Sequence, residues 1–579
     1  MSSDDKDKAV IQHEEDVTVS PPSESAVINS TESTNITWKT WVVIFILSSC
    51  FGLSFWPVPT TSAMQTTLAS KLGDAGGTSV YWYIPAYTTG NALGFLIAGA
   101  NSDLFGRRIF LLVGEVAAAV GMLVSATAKS PQQMTAGLAI AGFGGGFCQM
   151  AMCSIPELMP NKYRHIGICI SDGFVFVIVI IGPIVGRYAI DTGDAWKHIY
   201  YGGFIAQVFS LIGLYVLYHP PKHPKGVSWK EAIFGLDYIG TLLVIPGVCL
   251  ALVGIINTTY ISVSDVMVIV PLAVGLGPLV LFGFWETLSN TRYPLCPPQI
   301  FSAHHGRQFT APFILAFIVT MFYYGLRTIN VIYPTMINVF YVTPETPRSE
   351  QLLLTLPGNI GLVFGAILLI CFGNLLGHWK WTLTISWIGM TLFGGLMALV
   401  TPYNKGAMIA LAFLEQTCFG WAQYESIAFT QLGVHQHDLG MSGGLAGVAR
   451  YAGGSLAQAI YTSVLTNTQT SRAATLVPKA AMNAGASESV AAALLEALTA
   501  GGNGTYSVHG SDAEILGAAS EAFQWSYAYG LKITALSSLA FGGLGLVMCL
   551  LLENIDAKMN DQTNVFLEND VNAEKNEFH

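Results

Sequence analysis

The stretch that decides the fold runs from Gly99 to Arg108 and reads GANSDLFGRR. It is a polar break between two apolar segments, residues 80–100 and 109–128. Each segment is about 20 residues long, the length of helix that crosses the hydrocarbon core of a bilayer. Because so short a connection leaves room only for a tight turn, the two segments predict a helical hairpin that crosses a membrane twice.

The whole chain has the composition of a membrane protein. Of its 579 residues, 52% are hydrophobic and 11% are charged, whereas an ordinary soluble domain has roughly 25% charged residues. No strongly basic segment indicates binding to nucleic acid, and the scattered cysteines match no zinc or redox spacing. We therefore expect a lipid bilayer as the surroundings, with no nucleic-acid partner, no metal and no cofactor.

The two ends of the chain differ from the rest. Much of the net charge of −10 lies in residues 1–38 and 553–579, which are rich in Ser, Asp, Glu and Asn. Such segments bury too little apolar surface to fold, so both tails are predicted to be disordered. Nothing before Thr40 resembles the short apolar core of a cleavable signal peptide, so the first span is expected to direct membrane insertion.

The apolar residues recur in fourteen segments of membrane-spanning length. Lipid offers no partner for backbone N–H and C=O groups, so each segment should be a helix and the fold class all-α. The predicted spans are residues 40–63, 80–100, 109–128, 133–155, 165–190, 197–218, 236–259, 264–286, 309–332, 351–373, 378–400, 405–431, 440–466 and 529–552.

Lys and Arg indicate the orientation of these spans, because loops on the cytoplasmic side are enriched in both. With the N-terminus in the cytoplasm, the inner loops hold more of these residues than the outer loops, including Arg107, Arg108 and Lys162. An even number of spans then also places the C-terminus in the cytoplasm. The long loop 467–528 becomes external and contains Ala-rich amphipathic pieces around residues 488–498 and 513–523. The sequons at Asn503 and Asn257 become candidate glycosylation sites.

Two Pro-rich breaks divide the chain. The first is HPPKHPKG at residues 219–226, and the second is RYPLCPP at residues 292–298. Between them lie two extra spans. The predicted domains are an N-terminal tail (1–38), an N-terminal six-helix half (39–218), a linker with two extra helices (219–308), a C-terminal six-helix half (309–552) and a C-terminal tail (553–579).

These features carry a family resemblance. The pattern G-x-x-x-D-x-x-G-R-R resembles the loop signature of the major facilitator superfamily of secondary transporters. The 6+2+6 layout is that of its fourteen-span drug:proton antiporter branch. Together with GFGGGFCQMAMCSIPELMPNKYR at residues 142–164, the chain looks like the fungal trichothecene efflux pump family. The resemblance implies a major facilitator fold with a binding site at mid-membrane between the two halves.

The resemblance also implies a conformational latch that holds an outward-open state, formed by Gly99, Asp103, Gly106, Arg107 and Arg108. Asp103 lies at the turn into the third span, where a helix N-terminus stabilises a carboxylate by roughly 0.3–1 kcal/mol. Gly106 allows a tight turn. The alternative interpretation is an ordinary loop whose arginines anchor the cytoplasmic side.

A second motif lies in the fifth span, where Gly182-Pro183-Ile-Val-Gly186-Arg187 resembles the antiporter motif G-x-x-x-G-P-x-x-G-G of exporters. Pro183 removes a helix hydrogen bond, and the two glycines form a close-packing face. Ile178 and Arg187 replace glycines of that motif. The alternative is an ordinary proline kink.

Six ionisable residues inside spans are candidates for proton coupling or substrate binding: Glu115, Asp172, Arg327, Glu415, Glu425 and Arg450. A charged side chain at mid-membrane costs roughly 2.5–3.5 kcal/mol on insertion scales, so its presence suggests function. Glu415 and Arg450 lie at comparable depths and are expected to pair, with alternating contact changing the proton affinity of Glu415. The alternative is a static ion pair. Glu115 and Asp172 are expected nearer the inner ends.

The favoured function is export of small lipophilic organic compounds, such as toxins, secondary metabolites or drugs, by proton antiport. The first alternative is proton-coupled uptake of siderophore-bound iron by the same fold, and the second is a transporter-like receptor. The cytoplasmic segments contain no nucleotide loop, metal cluster or nucleophile constellation, so an enzyme is not expected. Analogy places the protein in the plasma membrane, with the vacuolar membrane as the alternative.

Overall fold

The computed structural model describes residues 36–576 apart from 76, 222–227, 259, 290, 328–330, 344, 436–437, 502–507, 509 and 564. Within these residues the chain is helical, and its β-structure is limited to two isolated bridges, Pro160–Thr563 and Leu236–Tyr293. The all-α fold class is therefore confirmed. The N-terminal tail up to residue 35 and the sequon at Asn503 lie outside the described residues.

The N-terminal half begins with a span in two pieces, because Pro57 lacks the N–H that would continue the first helix. A 3-10 turn, Asn161–Tyr163, precedes α7. The helices of this half are α1 (Trp38–Phe55), α2 (Pro57–Lys71), α3 (Val80–Phe105), α4 (Arg107–Ala126), α5 (Pro131–Cys148), α6 (Ala151–Glu157), α7 (Arg164–Ser171), α8 (Gly173–Asp191) and α9 (Ala195–Leu217).

The linker and the C-terminal half contain the other helices. The linker has α10 (Trp229–Gly235), α11 (Tyr238–Asn257), α12 (Val266–Leu288) and α13 (Pro298–Ser302). The C-terminal half has α14 (Thr310–Arg327), α15 (Ile332–Met336), α16 (Arg348–Leu376), α17 (Trp379–Leu396), α18 (Lys405–Leu432), α19 (Leu439–Asn483), α20 (Glu488–Gly501) and α21 (Ala513–Leu551). A π-helical turn, Ile337–Tyr341, follows α15.

Every predicted span overlaps a helix of the structure. Ten helical segments of the described chain are long and apolar enough to cross a membrane. Helices α3, α14, α18 and α19 cover four further predicted spans but are not among these ten. The count of fourteen crossings and the 6+2+6 arrangement therefore stay predictions.

Glycine allows the helices of each half to approach closely. In the N-terminal half α5 packs on α3 and α4, and a Cβ on Gly142 would lie 2.0 Å from the carbonyl oxygen of Tyr87. In the C-terminal half α19 packs on α21 and α14, and α16 packs on α18. A Cβ on Gly365 would lie 2.0 Å from the carbonyl oxygen of Thr417. Helices α11 and α12 pair with each other, and α11 contacts α3 and α19.

Two regions differ from expectation. Most of segment 467–528 is helix and not open loop, because α19 continues for 45 residues, or about 68 Å at 1.5 Å per residue. Its end packs on α20 and α21 through a core that includes Val477, Leu494 and Ala519. The apolar face of an amphipathic helix has to be buried against a partner. In this segment the amphipathic helices bury their apolar faces against one another.

The C-terminal tail is the second difference. Its described residues, up to 576, lie across one end of the helices, and Ile555 and Leu567 are buried there. The prediction of disorder for this segment is therefore wrong. We call this end, which also carries residues 99–108, the inner face, and the opposite end, which carries Lys71 and Arg348, the outer face. The charge pattern predicts that the inner face is cytoplasmic.

Candidate functional site

Two of the predicted latch residues, Asp103 and Arg107, form a buried ionic cluster with Glu157 at the inner face. Arg107 donates from Nε to Glu157 at 2.9 Å and from a terminal nitrogen to the other Glu157 oxygen at 2.5 Å. Its remaining terminal nitrogen lies 3.0 Å from Asp103 Oδ1 and donates to Ser102 at 2.8 Å. Bidentate contact of this kind gives both strength and a defined geometry. Glu157, at the end of α6, thus fixes the arginine of the motif.

Asp103 connects the two halves of the protein. Its two carboxylate oxygens accept the backbone N–H groups of Gly440 at 3.0 Å and Met441 at 2.8 Å. These groups belong to the first turn of α19, where the first four N–H groups have no partner within the helix. Asp103 was expected to benefit from the start of the third span. The structure instead places it at the N-terminus of a helix in the opposite half.

Glycines make this contact between the halves possible. A Cβ on Gly99 would lie 2.6 Å from Gly444 Cα and 2.8 Å from the carbonyl oxygen of Gly440. Gly106 has a φ of 86°, a backbone conformation that favours glycine and lets α4 begin directly after α3. Gly99, Gly106, Asp103 and Arg107 therefore lie together where the two halves meet, and their role as a latch stays a prediction.

Arg108 has a different place from the rest of the motif. It donates to the carbonyl oxygen of Tyr215 at 2.6 Å, and its guanidinium lies 5.4 Å from the centre of the Tyr215 ring. Both contacts stay within the N-terminal half. Arg108 thus fits the alternative interpretation of an anchoring residue, while Arg107 fits the latch.

Replacing Asp103 by asparagine is expected to open the inner face. The amide keeps the shape but removes the charge that faces Arg107 and the start of α19, and removing one partner of a buried ion pair costs about 3–5 kcal/mol. Cys153 is a native reporter, since its buried Sγ lies 3.8 Å from the carbonyl oxygen of Leu439 in α19. We expect alkylation of Cys153, measured by peptide mass spectrometry, to rise about tenfold or more.

The matched control is Asp194→Asn, which removes an exposed carboxylate near the end of α8 that pairs with Lys197. This variant should leave the alkylation of Cys153 unchanged. Equal alkylation in Asp103→Asn and the unmodified protein would show that the carboxylate does not hold the two halves together.

A cavity of about 690 Å³ lies between the two halves and opens at the outer face. Its walls are mostly apolar and aromatic, including Phe55, Val58, Tyr81, Ile84, Leu252 and Tyr323. Its polar side chains are mostly neutral, including Gln65, Asn338, Asn359, Gln351 and Gln458, and its two charged side chains among the described residues are Arg187 and Arg348. A cavity of this size and lining fits a drug-sized organic molecule.

Hydrogen bonds between the halves lie beside and below the cavity. Asn359 of α16 donates to the carbonyl oxygen of Val179 in α8 at 2.8 Å, and Gln149 donates to the hydroxyl of Tyr451 in α19. Asn359, Val179 and Tyr451 also line the cavity. A bound molecule therefore contacts residues that couple the halves to each other.

The second motif packs α8 against α2. A Cβ on Gly186 would lie 2.5 Å from the carbonyl oxygen of Thr60, and one on Gly182 would lie 2.9 Å from Pro59. Helix α8 continues through Pro183, which lines the cavity. The two glycines thus form the close-packing face that the motif predicts.

Asp172 lies between the halves and not at an inner helix end exposed to solvent. It is buried and accepts a hydrogen bond of 2.7 Å from the hydroxyl of Tyr424 in α18. The Arg450 guanidinium is close enough to interact electrostatically with Asp172. Asp172 precedes Val179 by seven residues of sequence, or about 10 Å of helix towards the inner face.

The other candidates are dispersed. Glu415 accepts from its neighbour Gln416 at 2.7 Å, and no ion pair among the described residues joins it to Arg450, whose guanidinium lies beside Met152. Glu425 accepts from Thr382 at 2.6 Å and from Trp421 at 2.7 Å.

Glu115 is also buried within one half, where it accepts from Ser210 at 2.7 Å. Arg327 ends α14, and its side chain lies outside the described residues. No group of three or more His, Cys, Asp or Glu in the described chain is placed to hold a metal ion.

The structure argues against a glycan on Asn257. Its side chain is 7% exposed, its amide nitrogen donates to the carbonyl oxygen of Met267 at 2.6 Å, and its oxygen accepts from Tyr260 at 2.6 Å. A modified Asn257 would lose the contact that joins the end of α11 to the start of α12.

Several residues that join distant segments of the structure were not singled out from the sequence. Glu157 lies within the 142–164 stretch, but only the fold shows that it binds Arg107. Gln149 and Asn359 are ordinary polar residues of apolar spans. The sequence shows only that each has a polar side chain in the middle of a span. Polar side chains at such positions also serve simply to pack helices together.

Comparison with known proteins shows the family of this chain. Residues 43–579 match the family model described as fungal trichothecene efflux pump. The chain is 40% identical to the MFS-type transporter prx5 of Penicillium rubens, over 96% of this chain and 99% of that protein. It is 26% identical to the trichothecene efflux pump TRI12 of Fusarium sporotrichioides, over 84% of this chain and 82% of that pump.

Two solved structures share the fold. The human organic anion transporter MFSD10 matches with a TM-score of 0.53 at 11% identity, over 88% of this chain and 99% of that one. The proton:xylose symporter XylE matches with a TM-score of 0.52 at 13% identity, over 87% of this chain and 94% of that one. The chain therefore belongs to the fungal trichothecene efflux pump family, within the major facilitator superfamily of membrane transporters.

Proposed function

We propose that the protein exports small lipophilic organic compounds by alternating access. The observation that carries this proposal is the cavity between the halves, open at the outer face, above an inner face closed by the Asp103 contact with α19. This arrangement is the outward-facing state of a transport cycle. Rocking of the halves about the cavity would present the same site to the inner side.

We propose that the exported compounds are toxins or secondary metabolites. Two relatives are named trichothecene efflux pumps. Desolvating a lipophilic molecule against Phe55, Ile84 and Leu252 supplies non-directional binding energy. The amides of Asn338, Asn359 and Gln458 add a few hydrogen bonds that orient it.

Export is driven by proton antiport in this proposal, and Asp172 is the proton carrier that the contacts favour. It is the candidate carboxylate that joins the halves, through Tyr424, with the Arg450 charge nearby. Protonation removes the negative charge that attracts both partners, so it changes the free energy of contact between the halves. Glu415, Glu425 and Glu115 are secondary candidates, since their observed hydrogen-bond donors lie in their own halves.

The proposed location is the plasma membrane, with both termini in the cytoplasm. The inner face then holds Arg107, Lys162 and the C-terminal tail, as the positive-inside rule requires. The transported partners are a small molecule and protons.

A flux assay tests this function. Fungal or yeast cells that overproduce the protein are loaded with a neutral trichothecene, and its retention is measured with and without a protonophore. We expect several-fold lower retention than in cells producing Gly99→Val, and loss of this difference when the proton gradient collapses. Equal retention in both cell lines would contradict export, and gradient-dependent accumulation of a ferric siderophore would favour the uptake alternative.

A further inference from the structure

Arg187 differs from Arg348, the other cationic residue among the described lining residues of the cavity. It belongs to α8, is half-buried and lines the cavity beside Pro183. No hydrogen bond, ion pair or ring contact to Arg187 is found within the described part of the chain. Because no protein group pairs with it there, its guanidinium keeps N–H donors free to bind a molecule that enters the cavity.

The carboxylate best placed to neutralise Arg187 has another partner. Asp191 follows Arg187 by one helical turn, the spacing at which opposite charges normally pair. In the structure Asp191 instead forms an ion pair with Arg348 of α16, across the cavity mouth. The charge of Arg348 is thus balanced, and the charge of Arg187 is not.

Within the described part of the chain, no acidic side chain lines the cavity. The site therefore combines apolar walls, neutral amides and one unbalanced positive charge. An anion that enters this space gains a charge-assisted hydrogen bond from Arg187, which is about twice as strong as a neutral one. A cation meets repulsion with no compensating group.

We propose that Arg187 binds an acidic group of the transported compound, so that lipophilic weak acids are the preferred substrates. A carboxylic acid is ionised at pH 7, and its carboxylate matches the planar fork of a guanidinium. The apolar remainder of the molecule lies against Tyr81, Ile84 and Tyr323. This inference rests on the proposed function and names the substrate class of the same cavity.

A binding measurement tests it on the purified full-length protein in lipid nanodiscs. The probes are radiolabelled naphthalene-2-carboxylate and its methyl ester, which differ mainly in charge. We expect the acid to bind about tenfold more tightly than the ester. Arg187→Gln should remove this preference, and Arg187→Lys should keep part of it. Arg472→Gln, an exposed arginine of the outer extension of α19, is the matched control and should keep the full preference.

Three outcomes overturn the inference: equal affinity for acid and ester, a preference that survives Arg187→Gln, or no binding of the acid. Failure here is distinguishable from failure of the proposed function. If cells still export the neutral trichothecene, the export function stands and only the anion preference falls.

A separate set of contacts carries a second inference, on the C-terminal tail. Residues 560–570 bind the N-terminal half mainly through backbone hydrogen bonds. These run from Asn161 N to Gln562 O at 2.9 Å, Lys162 N to Asn560 O at 2.8 Å, Val565 N to Glu157 O at 3.1 Å and Glu568 N to His219 O at 2.8 Å. Asp570 accepts the hydroxyls of Thr37 at 2.6 Å and Thr40 at 2.9 Å.

The preceding residues bind the C-terminal half. Asp556 accepts the backbone N–H of Trp379 at 3.1 Å, at the start of α17. Lys558 donates to the carbonyl oxygen of Leu432 at 3.0 Å, at the end of α18. The chain thus crosses from one half to the other near residue 559, and it contacts Glu157, which also binds Arg107.

We infer that residues 556–570 form a strap that stabilises the closed inner face. Opening this face separates the halves, so the contacts on one side of residue 559 must break. Burial alone would raise the pKa of Asp570, but hydrogen bonds from Thr37 and Thr40 hold it below its usual value. The Asp570 carboxylate therefore stays charged at neutral pH, and its contribution is lost only as the pH falls below the ordinary carboxyl range.

Deleting residues 560–579 tests the strap, with alkylation of Cys153 as the readout. We expect several-fold faster alkylation in the deletion and a smaller increase in Asp570→Ala, which retains the full chain. Val571→Ala, whose side chain is 89% exposed, is the matched control and should match the unmodified protein. Unchanged alkylation in both test variants overturns the inference.

Discussion

Replacing Gly99 by valine is expected to abolish transport. The first added carbon would lie 2.6 Å from Gly444 Cα and 2.8 Å from the carbonyl oxygen of Gly440. Both are backbone atoms of α19, which cannot rotate away as a side chain can. Overpacking a tight contact costs about 1–3 kcal/mol or more, and this cost applies only when the inner face is closed. The variant should therefore remain trapped with the inner face open.

The measurements are efflux of a neutral trichothecene and alkylation of Cys153. We expect efflux to fall by about a hundredfold, as about 2.8 kcal/mol of destabilised closed state would give, while alkylation of Cys153 rises. Gly543→Val is the matched control, since a Cβ at Gly543 of α21 meets nothing within 4 Å. Normal efflux by Gly99→Val would show that α3 and α19 need not approach this closely during the cycle.

Replacing Asp172 by asparagine is expected to uncouple transport from the proton gradient. The amide can still accept a hydrogen bond from Tyr424, so the contact between the halves is retained in shape. It cannot take up and release a proton, and it has no charge to attract Arg450. Purified protein in proteoliposomes should lose transport driven by a pH difference but keep exchange of labelled for unlabelled substrate.

Two further variants sharpen this result. Tyr424→Phe removes the donor but leaves the carboxylate, so it should weaken coupling without abolishing it. Glu415→Gln tests the carboxylate that the sequence pattern favoured. If Glu415→Gln loses gradient-driven transport and Asp172→Asn keeps it, the proton site lies inside the C-terminal half and not between the halves.

The residues of the GANSDLFGRR motif show how much of the structure could be predicted from the sequence. The pattern GANSDLFGRR predicted a hairpin, a tight turn at Gly106 and a role for Asp103 and Arg107, because a short loop between two membrane spans leaves few conformations. It did not predict that Asp103 binds the start of α19, since the partner backbone lies more than three hundred residues away. Backbone N–H groups carry no sequence signal.

The ionisable residues show the opposite case. Their placement within apolar spans identified Asp172, Glu415 and Arg450 as candidates, but equal depth along two helices suggested the pair Glu415 and Arg450. The depth of a residue in the membrane gives its position along one direction only, so two residues at equal depth need not lie close together. Rotation of α18 and α19 about their own axes decides which side chains meet, and these rotations depend on packing against α14, α16 and α17.

The sequence alone determined that this chain is a helical membrane protein, because lipid leaves the backbone no other way to satisfy its hydrogen bonds. It also indicated the family, because the motifs and the spacing of the apolar segments can be read without knowing which segments meet. Only the tertiary structure decided that the inner face is closed, that the C-terminal tail crosses both halves and that no acid of the described chain pairs with Arg187. Each of these depends on contacts between segments far apart in sequence, where small packing energies decide which partners meet.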